Sequence, residues 1–242
     1  MGIDIPKGLI EIARNQTIIG SMLKELQNIS NIKNKAMTTN SRFFQMYAKW
    51  LKQEKLDRQT KLLNNGAKSP EERLGAIGDI IFALDKLKWW GKNNLLILPS
   101  DTLYQFRLRD FINFSLGRQG LVIVISKLDK KIIANRLGCI SFRGDRVIGF
   151  EEKPALPKSN WAIVPFYFYP KALLPRIREY AQEAKFDKKK LDAPSTIIYW
   201  LMKKNIPVYV FKTEKLTIDV GKPVDVDSAQ ANNHCFLRQE ES

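Results

Sequence analysis

Two short apolar runs constrain this chain more than any other feature. Leu95-Leu96-Ile97-Leu98 and Leu121-Val122-Ile123-Val124-Ile125 carry no polar side chain on either face. A strand that alternates polar with apolar residues can rest on a single core. A strand apolar on both faces must be covered on both, as a central strand of an α/β sheet is. Between the two runs, Leu108, Phe111, Ile112 and Leu116 recur at helical spacing, with Gly117 placed to stop the helix. Strand, helix and strand in this order predict an open, mainly parallel sheet with right-handed crossovers, in which Leu95 to Leu98 is a central parallel strand.

The flanking pattern agrees. Ile18, Ile19, Met22, Leu23 and Leu26 predict an amphipathic helix over Thr17 to Ile29. An extended Lys35 to Thr39, a helix carrying Phe43, Phe44, Tyr47, Trp50 and Leu51, and a strand over Gln59 to Leu63 follow, then the turn Asn64-Asn65-Gly66. Ser69 ahead of Pro70-Glu71-Glu72 reads as a helix cap with acids in the first turn, and Leu74 to Leu87 is helical in pattern. Gly138 to Phe142, Arg143-Gly144-Asp145 and Val147 to Phe150 predict a hairpin. Beyond it come strands over Ile163 to Tyr169, Ile206 to Phe211 and Leu216 to Val220, with helices after Pro170 and Pro194. No repeat or low-complexity linker interrupts residues 1–242, which read as one compact unit.

Composition excludes several classes. With 44% hydrophobic residues in 242, the chain has enough apolar surface for a core, so disorder is excluded. Two Cys, Cys139 and Cys235, exclude a disulfide scaffold and read as reduced thiols of a cytoplasmic protein. A single His, His234 near the end, argues against His-based zinc sites and Ser-His-Asp triads. No apolar run spans a bilayer, so no membrane is expected. Met1 to Pro6 lacks the pattern of a secretory signal, and Pro6 stands where a myristoylation signal needs Ser or Thr. Lys plus Arg number 40 against 25 Asp plus Glu, a net charge of +15. The basic residues are spread along the chain, and the densest runs include Asp129 and Asp187. That spread, with no RNP-type motif or zinc finger, argues for a solvated basic surface or a polyanionic small-molecule ligand rather than nucleic acid.

Candidate chemistry collects at strand ends, where open α/β sheets bind ligands. Asp101 follows the first apolar run, and Asp219 sits in the apolar Ile218-Asp219-Val220-Gly221. Taken singly, each can be a cap or turn former; as a pair they suit Mg²⁺ whose shell is completed by phosphate oxygens. In Glu152-Lys153-Pro154, Lys153 could meet a phosphate and Glu152 could accept from hydroxyls, or the three could form an exposed strand end. Leu74-Gly75-Ala76-Ile77-Gly78 offers a small-residue patch for a flat ring, or for close helix packing. Asn64 is either a base contact or a turn former.

Taken in order, these segments resemble the sugar-phosphate nucleotidyltransferases, the NDP-sugar pyrophosphorylases of glucose-1-phosphate thymidylyltransferase type, from about Pro6 to Ala231. Pro6-Lys7-Gly8-Leu9 resembles P-K-x-L, Leu74 to Gly78 L-G-T-A-G, and Leu98-Pro99-Ser100-Asp101 L-x-G-D. Leu137-Gly138-Cys139 resembles Y-G-V, Glu152-Lys153-Pro154 matches E-K-P, and Ile218 to Pro223 resembles D-I-G-T-P. The resemblance implies a Rossmann-like mixed, mainly parallel sheet with a nucleotide-binding part (1–135), a sugar-phosphate part (136–232) and a tail (233–242). It implies roles as well: Lys7 and Lys153 as catalytic cations, and Leu74, Gly75 and Asn64 at the nucleotide. Gly138, Glu152 and Lys153 would then meet the sugar phosphate, and Asp101 and Asp219 would hold Mg²⁺. A sugar 1-phosphate would attack a nucleoside triphosphate and release pyrophosphate. A non-catalytic nucleotide-sugar binder or partner subunit is the alternative, a basic nucleic-acid-binding protein a more distant one, and a homo-oligomer is compatible with any of these.

The sequence also departs from the family pattern. The Gly-rich G-G-x-G-T-R-L loop that precedes P-K-x-L in the family is not found before Pro6, and a sheet without the strand leading into that loop is expected to be open. Ser100 stands for the usual Gly, Leu137 for Tyr and Pro165 for the Gly of G-I-Y, changes expected to crowd or depolarise the sugar pocket.

Overall fold

The structure is a computed structural model describing residues 5–184, 187–192, 194–215 and 217–220, with backbone alone at 188, 189 and 219. The chain runs β1 (Glu11–Ala13), β2 (Gln16–Thr17), α1 (Ile18–Gln27), β3 (Lys35–Thr39), α2 (Ser41–Gln53), β4 (Thr60–Asn64), α3 (Gly75–Leu87), β5 (Leu95–Ile97) and β6 (Thr102–Tyr104). It continues α4 (Leu108–Ser115), β7 (Leu121–Lys127), α5 (Lys130–Ile133), β8 (Cys139–Arg143), β9 (Arg146–Glu151) and β10 (Trp161–Tyr169). Last come α6 (Leu174–Glu183), α7 (Lys188–Asp192), α8 (Thr196–Lys203), β11 (Val208–Thr213) and β12 (Thr217–Asp219). No helix among the described residues is long and apolar enough to cross a membrane.

Contacts divide the chain into two compact units. One comprises Met1–Leu74, Ser100–Leu108 and Thr217–Ser242, the other Gly75–Pro99 and Arg109–Leu216. The two units interleave along the sequence.

In the first unit each sheet has two strands: β1 with β2, β6 with β12, and the parallel pair β3 with β4. The two longer helices start on side-chain caps. Thr17 Oγ1 accepts from the Gly20 N–H at 3.1 Å, and Asn40 Oδ1 from the Phe43 N–H at 3.1 Å. Helix α1 buries Ile18, Ile19, Met22, Leu23 and Leu26, the stripe expected from their spacing. The Ser69 cap does not form: Pro70–Glu72 make only a 3₁₀ turn, and a left-handed Gly75, φ +73°, separates that turn from the body of α3.

The second unit is built on a six-stranded sheet of order β5-β10-β7-β11-β9-β8. Strand β7 is buried on both faces. Leu121, Ile123 and Ile125 pack with Ile77, Ile177, Ile197 and Leu201 from α3, α6 and α8, and Val122 and Val124 are also fully buried. On α4, Phe111 packs tilted and Phe114 edge-on against Phe211 of β11, with ring centroids 5.6 and 5.5 Å apart. Each fully buried aliphatic side chain here contributes about 1.5–3 kcal/mol relative to exposure.

Two expectations are corrected. The class is mixed α/β, but the sheet is not mainly parallel. Among the described residues only β7 with β11 run parallel in it, because the β8–β9 hairpin and the returning β10 bring their strands in antiparallel. Leu95–Ile97 is not central: it ends the strand order, pairs antiparallel with β10, and is half-buried. Among the described residues β3 and β4 pair only with each other and β5 only with β10. Pro165, which has no N–H to donate, coincides with a register shift between Val164 and Tyr167, a bulge in the long β10.

Candidate active site

The first unit brings Lys7 and Asp101 together. Lys7 opens a 3₁₀ turn over Lys7–Leu9, held by the Leu9 N–H on Pro6 O at 2.9 Å and the Ile10 N–H on Lys7 O at 3.0 Å. Its Nζ lies 3.7 Å from Asp101 Oδ2, and both side chains keep about a third or more of their surface exposed, so the pair adds little stability. Asp101 precedes β6, and β6 is tied down by Glu25. That carboxylate accepts from the Tyr104 hydroxyl at 2.7 Å and from the Leu108 N–H at 2.7 Å. Burial first, then the Glu25 carboxylate, pushes the Tyr104 hydroxyl well above its usual range. The antiparallel register sets Asp219 opposite Thr102, and the Val220 N–H donates to Asp101 O at 3.0 Å. The sequence pair Asp101 and Asp219 is thus adjacent along the backbone of two paired strands.

These residues suit a hard divalent cation, since they supply carboxylate oxygen and leave positions for phosphate and water. Thr102 Oγ1, next in sequence to Asp101, is buried and has no hydrogen-bond partner among the described residues. No cluster of three or more His, Cys, Asp or Glu that could hold a metal occurs among them. The Asp219 side chain, residues 221–223 of the last motif and the tail 233–242 lie outside the described residues.

Asn64 and the Leu74 segment are built differently from each other. Asn64 Oδ1 accepts from the Gly66 N–H at 2.9 Å and from the Ser41 hydroxyl at 3.2 Å, so the turn-forming role is the one observed. Leu74 is exposed. Gly75, in the second unit, meets the backbone of α7: a Cβ there would lie 2.8 Å from Leu191 C and O. Close helix packing therefore accounts for that glycine.

The second unit gathers Gly138, Glu152 and Lys153. Gly138 precedes β8, and its carbonyl accepts from the Ile163 N–H at 2.9 Å. A Cβ on it would sit 3.0 Å from Ile163 Cδ1 and from Phe150 Cε2 and 3.6 Å from Glu152 Oε2, so bare backbone lies beside the Glu152 carboxylate. Glu152 follows β9 and accepts from Ser195 Oγ at 2.8 Å. Its neighbour Glu151 is held by Lys158 at 2.9 Å, a hydrogen bond that pushes the Lys158 ammonium up. Lys153 takes φ +45°, a left-handed conformation made harder by the following Pro154, and no ion pair holds it among the described residues. Such strain is concentrated at functional sites. Leu137, standing for the family's Tyr, packs against the small cluster of Ile133, Cys139 and Ala162.

Two residues escape motif reading. Ser195 belongs to no motif, yet its hydroxyl reaches Glu152 across 43 residues of sequence. Thr196 beside it is anchored on Tyr180 Oη at 2.5 Å and on Lys190 O at 3.0 Å, which fixes the start of α8 where Ser195 stands. Tyr47 reads from spacing as an apolar helix position, and its hydroxyl has partners next to both Lys7 and Asp101.

The model of the nucleotidyl transferase family matches residues 2–234. Among solved structures, a Bacillus anthracis protein described as a glucose-1-phosphate thymidylyltransferase, in complex with a sucrose, superposes with a TM-score of 0.74 at 17% identity, covering 95% of this chain and 87% of that one. A UDP-glucose pyrophosphorylase from Acinetobacter baumannii gives 0.71 at 16% identity, covering 98% and 90%. HddC from Yersinia pseudotuberculosis gives 0.66 at 19%, covering 96% and 92%. At these identities the likeness carries the fold.

Proposed function

The chain belongs to the nucleotidyl transferase family, and from that premise we propose that it joins a nucleoside triphosphate to a sugar 1-phosphate, releasing pyrophosphate and forming an NDP-sugar. The observation that carries the reading is the approach of Lys7 to Asp101 within 3.7 Å, beside the strand that bears Asp219. A cation next to a carboxylate pair is what a polyphosphate needs. Two of the structural neighbours carry names of sugar-nucleotide enzymes, one a glucose-1-phosphate thymidylyltransferase and one a UDP-glucose pyrophosphorylase.

In this reaction an oxygen of the sugar phosphate attacks the α-phosphorus, the bond from that phosphorus to the bridging oxygen breaks, and pyrophosphate carries the electron pair away. No protein nucleophile is required, which suits a chain with one His. Asp101 and Asp219 would hold Mg²⁺, which supplies charge neutralisation on the phosphates. Lys7 would balance charge growing on the departing pyrophosphate. Lys153 would bind the sugar phosphate and aim its oxygen in line with the breaking bond. Glu152 would accept from sugar hydroxyls with the oxygen that Ser195 leaves free.

The test is pyrophosphate release by the full chain with Mg²⁺, a panel of nucleoside triphosphates and a panel of sugar 1-phosphates. Turnover that disappears with EDTA and with Asp101→Asn or Asp219→Asn is expected. Nucleotide binding without turnover on any pair would assign the chain to the non-catalytic binders instead.

A further inference from the structure

The Lys7–Asp101 pair joins two segments that have little regular structure of their own. Lys7 is carried by a single 3₁₀ turn and Asp101 by a bend before a three-residue strand. Two partly exposed side chains on such short pieces do not hold a fixed separation by themselves, because side-chain entropy opposes it. The structure supplies a third group. Tyr47 of α2 is buried, with 5% of its surface exposed, and its hydroxyl hydrogen-bonds both the Ser100 side chain and the backbone of Gly8. Gly8 is the residue after Lys7, and Ser100 the residue before Asp101. Burial pushes this hydroxyl up to about 12, the Ser100 and Gly8 hydrogen bonds partly opposing the rise, so it stays a neutral phenol.

The packing there is close. A Cβ on Gly8 would lie 2.7 Å from the Ser100 carbonyl oxygen and 2.9 Å from Tyr47 Oη. The two backbone segments therefore touch at the residues flanking the ion pair, and the Tyr47 hydroxyl bridges them. The same contact gives a purpose to Ser100, which stands where the family pattern has Gly: its hydroxyl is half of the bridge.

We propose that Tyr47 is a positioning residue: its hydroxyl clamps the Lys7 turn to the Asp101 loop and so sets the distance between the cation and the metal-binding carboxylate. The geometric part stands on the contacts alone, and only its use in binding a cation rests on the nucleotidyltransferase reading.

The test uses the full chain with Tyr47→Phe, which keeps the ring in the core, and Ser100→Gly, which removes the other half of the bridge. Zero-length carbodiimide coupling, read by peptide mass spectrometry, measures how often Lys7 and Asp101 touch; the Lys158–Glu151 pair, at 2.9 Å, is the internal reference. Tyr47→Phe is expected to lower the Lys7–Asp101 yield about 3- to 10-fold relative to that reference, the effect of losing one buried hydrogen-bonding group. A general loosening of the fold would lower both pairs together. Ser100→Gly should give a smaller loss, and the double variant no more than Tyr47→Phe alone, because both remove the same link. An unchanged yield in Tyr47→Phe, or additive losses in the double variant, would overturn the clamp. If Tyr47→Phe does not fold, an unchanged yield in Ser100→Gly overturns it.

A second arm titrates Mn²⁺ by electron paramagnetic resonance, where Tyr47→Phe should weaken binding several-fold. A wild-type chain that binds no Mn²⁺ and releases no pyrophosphate would sink the functional reading, while the cross-link yield would still decide the clamp. Wild-type Mn²⁺ binding that Tyr47→Phe leaves unchanged would overturn the clamp's role toward the cation.

Discussion

The two units hold their candidate residues in opposite ways. In the first, Lys7 and Asp101 rest on a 3₁₀ turn and a bend among two-stranded sheets, and the charged groups are paired with each other. In the second, Gly138, Glu152 and Lys153 flank strands of a six-stranded sheet whose middle strand, β7, is buried on both faces. There Glu152 is held by a neutral hydroxyl, and Lys153 is displayed on a strained backbone. A pair of opposite charges can define its own geometry only roughly, so the first unit relies on close backbone packing and a buried phenol. A rigid sheet can store local strain, so the second unit can present a cation that no ion pair holds among the described residues.

The contrast makes its largest prediction at Asp101. Asp101→Asn removes the charge that balances Lys7 and the proposed cation, and turnover should fall about 100- to 1,000-fold or more, measured as pyrophosphate release at saturating Mg²⁺. A loss below tenfold would remove Asp101 from the metal role and leave the first unit with only a surface ion pair. The next effect separates strain from function. Lys153→Gly relieves the left-handed φ of +45° and should raise stability by about 1 kcal/mol, seen as a higher melting temperature. Turnover should drop as far as in Lys153→Ala. A melting temperature that falls would mean the lysine side chain stabilises the fold, and the strain argument would fail.

A smaller contrast compares two glycines. Gly8→Ala drives a methyl into the Ser100 carbonyl at 2.7 Å, a backbone atom that cannot swing away, whereas Gly138→Ala meets only the ends of Ile163 and Phe150 at 3.0 Å. Gly8→Ala should cost about 1–3 kcal/mol by denaturant unfolding and Gly138→Ala less than about 1.5 kcal/mol, the latter weakening sugar-phosphate binding instead. Equal costs would show that the second unit packs as tightly at its site as the first. The smallest effect belongs to Ser195→Ala, which frees the second Glu152 oxygen and should change KM for the sugar phosphate about 3- to 10-fold with little change in kcat. A shift in kcat alone would place Ser195 elsewhere in the reaction.

Much of the fold could be read along the chain because it depends on neighbours in sequence. The apolar stripe of α1, the hairpin around Gly144 and the buried run Leu121 to Ile125 are local patterns, and all appear at the expected residues within one or two positions. The run Leu95 to Leu98 has the same composition but ends the strand order. Its apolar faces told of burial, and only the identity of its pairing partner, β10, decides its place and direction. The Glu-Lys-Pro motif was legible as chemistry, but its strain was not, since φ at Lys153 is set by the path the chain must take out of β9. Tyr47 looked like one more core residue because its spacing reports the ring and says nothing of the hydroxyl.

What the amino-acid order determined by itself is most of the longer elements, the apolar faces they must bury, and the family motifs that carry Lys7, Asp101, Glu152, Lys153 and Asp219. Each of these is encoded by near neighbours through periodicity, capping or a contiguous motif. The short β1, β2, β6, α5 and α7 were not read from it. Tertiary structure alone decided which of these residues meet: Lys7 with Asp101, Asp219 beside Thr102, Ser195 on Glu152, and Tyr47 across Gly8 and Ser100. Those meetings join segments distant in sequence, and a hydroxyl or a carboxylate has no periodicity that announces its partner.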